Sequence, residues 1–126
     1  MRLLVSLILI FSIFIGLGAW SNHALTTSAK EFAKEIDIIV VTAQQDQWDA
    51  AYQKIQHLRK RWDKQAAWWP IILDHQEIDN IEFALVKTAE YIKSNNKELS
   101  FGQLAELKLM IEHIPEKEAV TITNIL

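Results

Sequence analysis

The densest group of potential metal ligands in the chain is Asp74, His75, Glu77, Asp79 and Glu82. On a helix, His75, Asp79 and Glu82 fall at i, i+4 and i+7, which puts one imidazole and two carboxylates on a shared side, as a divalent cation would require. These residues also have a plainer use. Asp74 followed three positions later by Glu77 has capping-box spacing, and an acidic helix start is favourable against the macrodipole with no ligand present. His113, flanked by Glu112 and Glu116, is the other candidate half of such a site. On a helical wheel, however, it lies with Glu106 away from Leu107, Ile111 and Ile114, which faces it to solvent. No metal site is therefore assigned, and His75, Asp79 and Glu82 remain its candidate ligands.

Catalysis and cofactor binding are equally short of parts. His57, His75 and His113 could each serve as a general base, but the sequence identifies no nucleophile or orienting partner for any of them. Gly102 is the one glycine beyond residue 20, so there is no Gly-rich loop to let a backbone approach a phosphate. The absence of cysteine excludes disulfides, thiolate metal sites and a Cys nucleophile together. The expectation is a protein with no catalytic residues and no cofactor. Without Arg2, the chain carries 12 Lys and Arg against 16 Asp and Glu, with both signs interspersed. Such a balance does not track a nucleic acid backbone. The basic cluster Arg59, Lys60, Arg61 and Lys64 is expected to be a solvated helix face, with anionic lipid contact as the sharper alternative.

Aromatic residues are the other unusual resource. Of five tryptophans, Trp48, Trp62 and Trp69 share one helical stripe and are expected in the core. Trp68 points away from Trp62. It must pack under the next helix, lie against a membrane surface, or offer an exposed ring to a partner or glycan, which makes it the candidate partner contact.

The elements that would position these groups follow from apolar spacing. Leu25, Ala29, Phe32, Ile36, Ile39, Val40 and Ala43 recur at three- and four-residue steps and predict a first helix. Trp48, Ala51, Tyr52, Ile55, Leu58, Trp62, Ala66 and Trp69 predict a second, with Asp46 as N-cap and Pro70 as its stop. Ile78, Ile81, Leu85, Ala89 and Ile92 predict a third, ending in the turn Ser94, Asn95, Asn96, Lys97. Leu104, Leu107, Met110, Ile111 and Ile114 predict a fourth, stopped by Pro115. Capping-box spacing recurs: Asp74 and Glu77 are flanked by Leu73 and Ile78 at staple positions, and Ser100 and Gln103 by Leu99 and Leu104. Connections are short, so the fold class is all-α, a small antiparallel bundle or helix-turn-helix stack of about four helices. Whether Val120 to Leu126 adds a final helical turn is left open.

Before this body comes a membrane-spanning candidate. Leu3 to Trp20 is eighteen residues without charge, about 27 Å as a helix against a hydrocarbon layer of about 30 Å. Leu3, Leu4, Ile8, Ile10, Phe11, Phe14 and Ile15 would face lipid, and Trp20 sits where an interfacial aromatic belongs. Gly16, Gly18 and Ala19 keep a cleaved signal peptide as the rival reading, but the run exceeds the usual h-region length. The expected organisation is a signal-anchor at residues 1–20 and a helical domain at 21–126, with the first bundle helix continuing from the span. Arg2 precedes the span and no charge follows until Lys30. The positive-inside rule then places the domain outside the cytoplasm.

The stretches WWPIILDHQEIDNIEFAL (Trp68 to Leu85) and LAELKLMIEHIPEKEAVTITNIL at the carboxyl end resemble domain-of-unknown-function family 4363, and the similarity covers nearly the whole chain. The resemblance implies a short bacterial protein, of a kind found mostly in Gram-positive spore formers, with one hydrophobic amino-terminal segment and a helical remainder. It also suggests a polytopic membrane protein as partner. The leading expectation is a single-pass, non-enzymatic interaction or accessory subunit at the bacterial cell membrane, contacting the bilayer and a membrane protein. Homo-oligomerisation is left open. A metal- or small-ligand-sensing domain at the cell surface is the alternative, and an envelope enzyme the third.

Overall fold

The apolar steps that begin at Leu25 continue, with no intervening proline, from the apolar run before them. The chain accordingly forms one rod. The computed structural model describes residues 1–71 and 73–116, with α1 at Arg2–Gln44, α2 at Trp48–Ala66, α3 at His75–Lys93 and α4 at Lys97–Glu112, plus a 3-10 turn at Trp69–Ile71. The tail left open above lies outside the described residues. At 43 residues, α1 is about 64 Å long, and its role changes along its length. Every residue up to Trp20 is exposed, whereas Leu25, Ala29, Phe32, Ile36, Ile39 and Ala43 are buried.

The second part of α1 and the three following helices close a ring: α1 packs on α2 and α4, and α3 packs on the same two. This is an up-down-up-down four-helix bundle, which decides between the two expected arrangements. A stack would leave α1 and α4 apart. Here Lys108 Nζ of α4 reaches Asp37 of α1 at 2.8 and 3.0 Å. The apolar stripes meet on the axis, where Phe32, Ile36, Ile55, Leu58, Trp62, Ile81, Leu85, Ile92, Leu104, Leu107 and Ile111 are fully buried.

Two connections use the same device. Asp46 and Asn95 adopt positive φ, 57° and 55°. After α1, Asp46 N–H donates to Ala43 O and Gln47 N–H to Thr42 O; after α3, Asn95 N–H donates to Ile92 O and Asn96 N–H to Tyr91 O. Both are Schellman closures with a left-handed residue just past the helix end. Asp46 therefore does not cap α2, contrary to expectation: its backbone is committed to ending α1, and Gln47 takes the N-cap position without a side-chain capping bond among the described residues.

The start of α4 also corrects the sequence reading. Ser100 and Gln103 are buried inside the helix, and the cap is Asn96, whose Oδ1 accepts Leu99 N–H at 3.1 Å. The closure at Asn95 leaves Asn96 in extended backbone, the conformation an N-cap needs, so the helix begins one turn earlier. Asp74 does cap α3, accepting Gln76 N–H at 3.1 Å, with Leu73 and Ile78 both buried beside it. Trp69 is likewise not part of α2, which ends at Ala66. Pro70 has no N–H to donate to the carbonyl four residues back, and the chain tightens into the 3-10 turn.

Candidate membrane-facing site

The bundle end nearest the exposed half of α1 is built from the first buried turns of α1, the corner after α2, the start of α3 and the end of α4. Three rings lock the corner to α1. Trp62 lies edge-on to Phe32 at 5.9 Å and to Trp69 at 5.1 Å, and Trp69 meets Phe32 at 6.3 Å. With Trp69 turned inward and 5% exposed, its neighbour Trp68 is turned out and 74% exposed. Of the three places considered for Trp68, packing under α3 is thereby excluded.

Arg61 fastens the same region from outside. Its guanidinium pairs with Glu31 at 3.3 Å and with Glu35, and lies 4.9 Å from the centre of the Phe32 ring. Sequence reading missed this role by treating Arg59, Lys60, Arg61 and Lys64 as one solvated face. The signal available was Glu31 and Glu35, one turn apart on the facing helix. On the opposite side of α1, Lys108 pairs with Asp37 and, at 4.0 Å, with Glu112. The hydrogen bond to Asp37 holds the Lys108 ammonium above its ordinary pKa of 10.5.

The residues expected to face lipid, Leu3, Leu4, Ile8, Ile10, Phe11, Phe14 and Ile15, are all exposed, as is Trp20, and α1 is long and apolar enough to cross a membrane. The uncharged stretch is longer than the apolar run, extending from Leu3 to Ala29. As a helix it covers about 40 Å, close to the 40–45 Å of a bilayer with its headgroups.

The other candidate residues are dispersed. His75, Asp79 and Glu82 are exposed on α3, His57 is exposed on α2, and His113 follows α4, also exposed. Among the described residues, no three His, Asp or Glu side chains are grouped so as to hold a metal ion. A groove of about 460 Å³ runs between α1 and α4, with Lys30, Lys34, Asp37, Lys108, Glu112 and Glu116 along it. Its charges are of both signs, and Asp37 and Lys108 neutralise each other across it.

No curated protein and no solved structure matches the chain. A family model described as a domain of unknown function, DUF4363, matches residues 19–125. That match takes in the whole bundle and begins where the apolar run ends, and the chain belongs to this family.

Proposed function

We propose that this protein is a non-enzymatic, single-span membrane protein whose helical domain lies outside the cytoplasm and serves as an interaction or accessory subunit for a neighbouring membrane protein. The observation that carries the reading is the continuity of α1. The helix that is exposed and apolar over its first half is a structural member of the bundle over its second. A domain built on its own anchor stays at one height above the bilayer, and this confinement raises its effective concentration toward membrane partners without a tight interface. The positive charge of Arg2 and the amino terminus before the span, against none from Leu3 to Ala29, supports the outward orientation.

Crosslinking in intact membranes followed by affinity capture tests the partner. One reproducible membrane-protein adduct is expected, and a chain recovered only as itself would sink the proposal. Orientation is tested separately. The chain has no cysteine, so Phe83→Cys, at an exposed position of α3, provides a unique site for an impermeant maleimide. Labelling in intact cells is expected; labelling only after lysis would reverse the topology.

A further inference from the structure

The corner at Trp68 lies low on the bundle. Trp62 packs on Phe32 and Arg61 bridges Glu31 and Glu35, so α2, running antiparallel to α1, has this stretch level with Phe32. From Trp62 the helix descends about 6 Å to its end at Ala66 at 1.5 Å per residue, and the turn beyond it carries the chain on to Trp68. That places the Trp68 backbone beside the first buried turn of α1, between Leu25 and Ala29, roughly 8–14 Å above Trp20. Trp20 is itself exposed and aromatic at the end of the apolar run. The headgroup layer is about 5–8 Å deep on each side of the hydrocarbon. A usual helix tilt of about 20° lowers one flank of a bundle, about 10 Å from the anchor axis, by a further 3 Å or so. An indole facing out in the lower part of that range reaches the headgroups when the bundle tilts toward its flank.

We infer that Trp68 is a second membrane contact, an interfacial aromatic that enters the headgroup layer beside the span and sets the tilt of the bundle; the inference rests on the membrane reading of α1. The occupant is the lipid surface, and three features select it. The corner is pinned by buried Trp69 and by the hydrogen bond from Leu73 N–H to Trp69 O at 2.7 Å, which keeps the Trp68 backbone on the outside of the bundle. Its height is fixed by a helix that is continuous with the span. The local charges are mixed, with Lys60 and Lys64 on α2 before the corner and Asp74 and Glu77 at the start of α3 after it. Indole partitioning at the water–lipid boundary needs no cationic excess, so the contact is expected to persist in high salt, where a purely electrostatic one would weaken.

The test uses the full chain in phosphatidylcholine vesicles, with a nitroxide at Phe11→Cys, Ala67→Cys or Phe83→Cys. Accessibility is measured toward oxygen, which concentrates in lipid, and toward a water-soluble nickel complex. Ala67 is exposed beside Trp68 and reports its surroundings with the indole in place. The expected result is a several-fold lower nickel accessibility at position 67 than at 83, with oxygen accessibility raised, and a return toward the value at 83 when Trp68→Ala is added. Shielding from both reagents at 67 would mean contact with protein and overturns the inference, as does shielding that survives Trp68→Ala. A position 67 as open to nickel as position 83, with position 11 in lipid, overturns the inference and leaves the tether standing. Water exposure at position 11 removes the tether and this contact together.

Discussion

Trp62 and Arg61 are neighbours in the chain and meet opposite demands. Trp62 is 1% exposed and touches two other aromatic rings, so Trp62→Ala is expected to cost about 3–5 kcal/mol in chemical denaturation. A loss below about 1 kcal/mol would show that the ring cluster is not a core. Arg61 works at the rim, where ion pairs are screened, and Arg61→Met is expected to cost only about 1 kcal/mol, shrinking with added salt. Lys108 makes stability depend on alkaline pH. Because its folded pKa is raised by Asp37, its contribution is whole below 10.5, the ordinary value, and is lost as pH rises through the folded one. Thermal melts carried past that pH should fall more steeply for the native chain than for Lys108→Met, and parallel curves would remove the pair from the account. Of these residues, the sequence marked Trp62 through its stripe but not the ion pairs, since a surface charge has no periodicity that names its partner.

At the scale of the element, helix starts and stops were the least legible feature. Both Ser100 and Asn96 offer a side-chain oxygen at a plausible start of α4, and capping-box spacing pointed to Ser100. The deciding event lies in the preceding helix, whose left-handed closure at Asn95 presents Asn96 in cap conformation. Asn96→Ala is therefore expected to cost about 1 kcal/mol. Ser100→Ala should be neutral or mildly stabilising, since the Ser100 hydroxyl is buried with no hydrogen-bond partner among the described residues. Urea titrations of the two variants read this directly, and the opposite order would restore Ser100 as the cap. Asp46 and Asn95 share a further consequence: Asp46→Gly and Asn95→Gly relieve a left-handed backbone and should each add up to about 1 kcal/mol. Matching or lower midpoints would show that the side chains contribute more than the strain.

For the molecule as a whole, the apolar run and the first helix of the bundle are one piece of secondary structure but two folding problems. No residue from Met1 to Trp20 is buried, so residues 21–126 alone are expected to fold with the melting temperature of the full chain in detergent to within a few degrees. A broad, uncooperative melt by circular dichroism would show that the apolar run stabilises the bundle. By itself, the sequence determined the long apolar run, the four amphipathic stripes, the cap at Asp74 and the continuity across Trp20, because each depends on residues within a few turns of one another. Only the tertiary structure decided that α1 and α4 meet to close the ring, that Arg61 leaves the basic face to clasp α1, and that Trp69 turns in while Trp68 turns out. Those outcomes depend on the register between helices, set by how whole apolar faces interlock across the core, and no local spacing encodes it.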